Sequence, residues 1–163
     1  MKTLLLLRHA KSSWKDDSQS DFDRPLNERG KRDAPAVGFV LRERQLRPDL
    51  VLCSSAKRAK KTAITALEAS GYDVELRLLE ELYLAPLDVY VAAIAKLPDH
   101  LSNVMVVGHN PGLEELFSQL TARHEPLPAA ALAQIQLPID HWREVKTDGS
   151  GKLVLLWQPS SDD

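Results

Sequence analysis

The 163 residues include one cysteine, three phenylalanines, three tyrosines and three tryptophans. A lone cysteine, Cys53, forms no internal disulfide, so nothing asks for an oxidising compartment. No apolar run nears the roughly 18 residues of a membrane span. Leu4–Leu7 is also shorter than the roughly 7–15-residue apolar region of a secretory signal. An excess of one charge is missing too: 21 basic against 23 acidic residues leave a net charge of −2. That balance offers nucleic acid or an anionic membrane no attraction. Repeats, low-complexity tracts and Gly- or Ser-rich linkers are lacking, so nothing divides the chain. What is there, 44% hydrophobic and 27% charged residues, is ordinary globular composition. The length suffices for a full core without disulfides or structural metals. The expectation is one cytoplasmic, monomeric domain over residues 1–163.

Short continuous apolar runs, the pattern of strands buried on both faces, fall at Leu4–Leu7, Leu50–Cys53 and Val104–Val107, with a shorter one at Val74–Leu76. Leu132–Leu137 and Leu153–Trp157 also read as strands, the second introduced by the turn Asp148-Gly149-Ser150-Gly151. Helical spacing lies between. Ala34, Val37, Val40 and Leu41 mark a helix that Pro35 must kink or start late. Ala59, Ala63, Ala66 and Leu67 mark a second, with Ser55 as its cap. Asp88–Leu97 gives a third. Pro111–Leu120 gives a fourth, with Asn110 as cap and Pro111 in the first helical position. This alternation predicts a three-layer α/β/α sandwich around a mixed, mostly parallel sheet with an antiparallel strand near the C-terminus. Lys11 to Asn27 is a long polar stretch, a functional loop or a solvated one.

Open α/β sheets bind ligands at the carboxyl ends of their strands. There the first strand runs into Arg8-His9, the second into Ser54-Ser55-Ala56-Lys57-Arg58, and the fourth into Gly108-His109-Asn110-Pro111-Gly112. Two histidines and two arginines thus gather at one rim. The second helix opens with Lys57, Arg58, Lys60 and Lys61, where basic residues cost ~0.3–1 kcal/mol each. An anion would offset that cost; lysines turned to water would make it trivial. His109 precedes a helix start suited to an anion, or merely bonds the turn. Gly108 and Gly112 would let backbone and ligand approach closely. Such a cluster, without thiolate or carboxylate ligands, holds a divalent metal poorly and suits a phosphoryl group; no metal and no cofactor are expected. Guanidinium forks grip phosphate oxygens, and a neutral imidazole can attack phosphorus to form a covalent intermediate. Positioning and charge neutralisation supply most of the catalysis of phosphoryl transfer.

Leu7-Arg8-His9-Ala10 resembles the Arg-His-Gly signature of the histidine phosphatase (phosphoglycerate mutase-like) superfamily. Ser54 to Ala63 is similar to its second arginine block, and Val107-Gly108-His109-Asn110 to its second histidine block. Within the superfamily, Arg8 to Trp14, Arg24-Pro25-Leu26 and Arg29-Gly30 most resemble the short SixA-type phosphohistidine phosphatases. The resemblance implies a phosphoglycerate mutase-like fold. It also implies that His9 accepts the phosphoryl group while Arg8, Arg58 and His109 bind its oxygens, with Ser12 and Asn110 beside them. A phosphate or sulfate anion is expected in that pocket. Ala10 stands where the motif has glycine, which a negative φ would tolerate. Glu81 is the nearest match to the family's acid/base carboxylate; Glu80, the loop aspartates or no acid at all are the alternatives.

An alkoxide leaving group needs a proton, whereas imidazole, titrating near ~6.5, leaves readily. A weak or absent acid therefore points to a protein-borne phosphohistidine, on a phosphotransfer domain or a phosphocarrier. The Lys11–Asn27 loop is the expected rim for that partner, and its four aspartates would repel acidic surfaces. Trp14 is a candidate for the same rim. Three other readings stand beside this one: a phosphosugar phosphatase or mutase, a non-catalytic phosphate-binding module, and a cysteine phosphatase using Cys53 and Arg58. The last is one residue short of that motif's spacing and lacks its glycines. His100, His124 and His141 receive no role.

Overall fold

In the computed structural model, which describes residues 1–160, six strands form one sheet: β1 (Lys2–Arg8), β2 (Leu50–Ser54), β3 (Leu76–Leu79), β4 (Asn103–Gly108), β5 (Leu132–Leu137) and β6 (Lys152–Trp157). Their order is β3-β2-β4-β1-β5-β6. The first four strands are parallel, β5 runs antiparallel to β1, and β6 antiparallel to β5. Four helices cover the faces: α1 (Glu28–Glu43), α2 (Lys57–Ser70), α3 (Leu87–Ala95) and α4 (Gly112–Thr121).

The four leucines of β1 show how the layers arise. All are fully buried, and successive side chains enter opposite faces. Leu5 and Leu7 join Ala34, Val37 and Leu41 of α1 and Ala59, Ala63 and Ala66 of α2. Leu4 and Leu6 join Tyr90 and Ile94 of α3 and Leu113, Leu116 and Phe117 of α4. A strand covered on both sides has no polar alternate positions, hence the unbroken run. The architecture is the expected α/β/α sandwich. No helix among the described residues is long and apolar enough to cross a membrane.

Local boundaries differ from the sequence reading in instructive ways. The third strand is Leu76–Leu79 rather than Val74–Leu76, because it lies at the sheet edge and pairs with β2 alone. An edge strand carries exposed residues, so its apolar signal is broken. Helix α1 starts seven residues before Pro35 and runs through it, capped by the Asn27 side chain accepting from Gly30 N at 2.8 Å. The carbonyl that proline leaves unpaired belongs to Lys31, an exposed position open to water. Ser55 does not cap α2; the N-cap is Ala56, without a side-chain bond. Asn110 does not cap α4 either, which begins at Gly112 after Pro111.

The pairing also levels the edge formed by the carboxyl ends of the parallel strands. Arg8 lies opposite Gly108, and Cys53 opposite Val107, so β1, β4 and β2 end side by side. His9 N donates to Gly108 O at 3.1 Å, fixing the two histidine segments to each other. Thr62 of α2 ties in the helix layer: its hydroxyl accepts from Ala10 N at 3.0 Å and donates to Arg58 O at 2.7 Å.

Candidate active site

His9 and His109 follow neighbouring strands and stand with ring centroids 5.0 Å apart. His9 Nδ1 is 2.7 Å from Ala10 O. A carbonyl only accepts, so Nδ1 carries the proton and Nε2 holds the lone pair. Burial above all, then Arg58, Arg8 and Arg24, lowers the His9 pKa to about 4 despite the Ala10 bond. The ring is neutral near pH 7 and nucleophilic at Nε2. Ala10 is fully buried, and left-handed backbone occurs elsewhere, at residues such as Leu84 and Ala130, so its methyl replaces the motif glycine without strain.

His109 is lowered further, to about 3, by burial and then by His9 and Arg58, with Asp21 opposing. Its Nε2 meets Ser54 Oγ at 2.8 Å, while Nδ1 is buried without a protein partner. When the Ser54 hydroxyl donates to Nε2, Nδ1 bears the hydrogen and is a free donor. Ser54 Oγ also accepts from Ala56 N at 3.2 Å. This serine, rather than Ser55, couples the α2 start to the site, and sequence reading gave it no role.

Gly108 and Gly112 serve the protein rather than a ligand. A Cβ on Gly108 would lie 2.2 Å from the Tyr90 hydroxyl, and one on Gly112 would lie 1.9 Å from Ala85 O. The vacant space lets the Tyr90 oxygen accept from His109 N at 3.1 Å.

The two arginines differ in mounting. Arg8 Nη1 donates to Leu127 O at 3.0 Å. Burial lowers its pKa from the ordinary value, with Glu114 opposing, but a guanidinium stays charged. Arg58, on the first turn of α2, is 3% exposed, whereas Lys57, Lys60 and Lys61 are exposed to water. Arg58 Nη1 donates to Asp21 O at 2.6 Å and Nη2 to the Asp21 carboxylate at 3.0 Å. The Nε atoms of both arginines are buried without partners. Together with His109 Nδ1 they are unfilled donors, the set an anionic tetrahedral group would satisfy.

These residues line a cleft of about 810 Å³. Ser12 is on its wall, its Oγ accepting from Arg24 Nη2 at 2.5 Å. Asn110 is there too, its amide donating to Glu114 and to Leu127 O. Glu81 is not; it lines a separate cleft with Arg77, Asp88 and Lys96. The carboxylate that does reach the cluster is Asp21. It is paired with Arg24 at 2.8 Å and with Arg58, and it accepts a hydrogen bond from the Tyr83 hydroxyl. Burial works against ionisation, but these three partners hold its pKa far below the carboxylate range. Cys53 is no rival nucleophile: burial pushes its thiol up to about 12. The loop aspartates expected to face a partner do not line the cleft; Lys11 and Lys15 do.

Paired histidines and arginines thus stand at the ends of adjacent strands of an α/β sandwich. Residues 4–83 match the model of the histidine phosphatase superfamily (branch 1). An uncharacterized chloroplastic protein of Arabidopsis thaliana is 32% identical over 98% of this chain and 79% of its own. An uncharacterized protein of Mycobacterium tuberculosis is 33% identical, over 86% of this chain and 92% of its own. A provisionally assigned phosphohistidine phosphatase SixA from Agrobacterium tumefaciens superimposes with a TM-score of 0.82 at 29% identity, over 97% of this chain and 98% of that one. The chain belongs to the histidine phosphatase superfamily.

Proposed function

We propose that this protein hydrolyses phosphohistidine on signalling or phosphocarrier proteins through a phosphorylated His9. In the first step the His9 Nε2 lone pair attacks phosphorus while the bond to the substrate imidazole breaks. The departing ring takes its proton at its far nitrogen, which titrates near ~6.5 and needs no enzyme acid. Arg8 Nε, Arg58 Nε and His109 Nδ1 receive the charge on the phosphoryl oxygens. In the second step water attacks the phosphorus, its protons pass to solvent and phosphate, and His9 departs as a neutral ring. The Nδ1–H bond to Ala10 O serves both steps, exposing the nucleophile and then keeping the leaving group uncharged.

The observation that carries the substrate class is the state of the carboxylates. Asp21 is held ionised between Arg24 and Arg58, and Asp33, the one carboxylate on the cleft wall among the described residues, is paired with Arg29. No protonated carboxyl stands ready for an alkoxide, and phosphohistidine requires none. The second reading, a phosphosugar phosphatase, draws on the cleft volume, which falls within the roughly 300–1,000 Å³ of small-ligand sites. A purely phosphate-binding module would not need the His9 tautomer to be set.

The deciding measurement compares kcat/KM for a phosphohistidine peptide, a phosphocarrier protein and a panel of phosphosugars. Phosphohistidine should lead. A phosphosugar ahead by ~100-fold, about 2.7 kcal/mol in the transition state, overturns the substrate assignment and spares the His9 mechanism.

A further inference from the structure

The cleft mouth carries a pattern that the catalytic cluster does not use. The loop before α1 sends Lys11, Trp14 and Lys15 to the cleft wall, and all three are exposed. None of its four aspartates lines the cleft; Asp16 binds Ser18, Asp23 accepts from Ser20, and Asp21 is paired with two arginines. Among the described residues the wall therefore holds Arg8, Lys11, Lys15, Arg24, Arg29 and Arg58 against the carboxylate of Asp33. The sign is opposite to the one expected from the loop's composition.

Trp14 is 76% exposed, yet it is held in place. Its ring centroid lies 3.1 Å from the guanidinium carbon of Arg24. Arg24 is itself buried and fully engaged, with Nε on Ser13 O, Nη1 on Asp21 and Nη2 on Ser12. An indole stacked on an immobile cation loses little freedom on binding, and Trp is the residue most suited to anchor a protein interface. Leu84 is a second apolar group lining the cleft, 52% exposed and in left-handed backbone with φ 49°, which leucine adopts at a cost.

Building on the phosphohistidine reading, we propose that Trp14, Leu84, Lys11 and Lys15 form the docking surface for an acidic face of the substrate protein. Acidic side chains flanking the phosphorylated histidine lie against the two lysines, and an apolar side chain of the partner packs on Trp14 and Leu84. The charges set orientation and encounter, and the indole supplies contact area.

The test uses two synthetic peptides carrying the hydrolysis-resistant phosphohistidine mimic phosphoryltriazolylalanine, flanked by glutamates in one and by lysines in the other. The free mimic is the control. Each is titrated into the full chain, into the Lys11→Glu/Lys15→Glu variant and into Trp14→Ala. The wild type should bind the glutamate peptide at least ~10-fold more tightly at low salt, with the ratio falling toward one near ~0.5 M salt. The double charge reversal should invert the preference, and the free mimic, which has no flanking charges, should change by less than the glutamate peptide does. Trp14→Ala should weaken both peptides alike. Equal affinities, a preference that survives the reversal, or no peptide binding overturns the docking surface. Hydrolysis of the authentic phosphohistidine peptide is scored separately. A clear acidic preference without hydrolysis defeats the substrate reading and leaves the docking surface standing.

Discussion

Asp21 holds the guanidinium of Arg58 twice, through its carboxylate at 3.0 Å and through its main-chain carbonyl at 2.6 Å. The same carboxylate bonds Arg24 and Tyr83, so the loop after β1 is tied to α2 by an ionised anchor. Such a group positions the cluster and has no proton to give. Asp21→Asn keeps the main-chain bond and most of the shape. Its kcat on phosphohistidine should fall by less than ~10-fold, with the larger change in KM. A kcat loss of ~10²-fold or more would make Asp21 the proton donor, since lost general acids cost about 10²–10⁴.

The bond from His9 Nδ1 to Ala10 O predicts which nitrogen is phosphorylated. Quenched turnover should trap phosphate on His9 at Nε2, seen by phosphorus–nitrogen coupling in NMR. His9→Ala should abolish turnover and leave the circular dichroism spectrum intact, because the role proposed for it is covalent. Phosphate found on Nδ1, or on His109, would refute the assigned tautomer.

Ser54 acts through His109, and a double-mutant cycle can show it. Ser54→Ala removes the partner of His109 Nε2 and leaves the Ala56 N–H without its acceptor in a fully buried site. A stability loss of about 1–3 kcal/mol follows from the stranded donor, and kcat should drop by ~10-fold. In the His109→Ala background the same substitution should leave kcat nearly unchanged. Additive effects on kcat would separate the serine from the histidine.

Among the described residues, no three His, Cys, Asp or Glu side chains stand together where they could hold a metal ion. Turnover in a strong chelator should equal turnover without it. Activity lost to the chelator and restored by a divalent cation would remove the metal-free mechanism.

The sequence disclosed the site where chemistry and local pattern coincide. Arg8, His9 and His109 follow strands whose faces are both buried, so their runs are unbroken and their ends are visible. Arg58 was separable from its lysine neighbours only in part, since the distinction is burial, and burial is tertiary. Asp21 was one loop aspartate among four. Its pairing reaches 37 residues to Arg58 and 62 to Tyr83, distances at which no local pattern operates. Glu81 had the motif's neighbours but stands on another cleft. The cap assigned to Ser55 failed because the neighbouring Ser54 hydroxyl takes the Ala56 N–H from inside the strand end, where it is shared with His109. Gly108 and Gly112 were visible as sites of close approach, and only the packed structure shows that Tyr90 and Ala85 are what approaches.

The two imidazoles also set the acid limb of stability. Burial, joined by the arginines at His9 and by His9 and Arg58 at His109, lowers His9 to about 4 and His109 to about 3, whereas an unfolded chain titrates them near ~6.5. Between those values the unfolded chain binds protons that the folded one refuses, so stability is full above ~6.5 and is lost as pH falls toward 4. Each group contributes a slope of up to about 1.4 kcal/mol per pH unit, and the two together approach double. Asp21 adds to the loss at lower pH, from near ~3.9 downward, where the unfolded chain's carboxyl takes up a proton that the folded one refuses. Urea midpoints at pH 7.5, 6.5, 5.5 and 4.5 should fall steadily in the wild type below pH 6.5. The slope should be shallower in His109→Gln and shallowest in His9→Gln/His109→Gln, whatever the absolute stability of each variant. Equal slopes in all three would mean that the folded protein binds these protons as readily as the unfolded chain. His9 would then lose its Nε2 lone pair only as pH falls through ~6.5, and turnover should fall along the same titration.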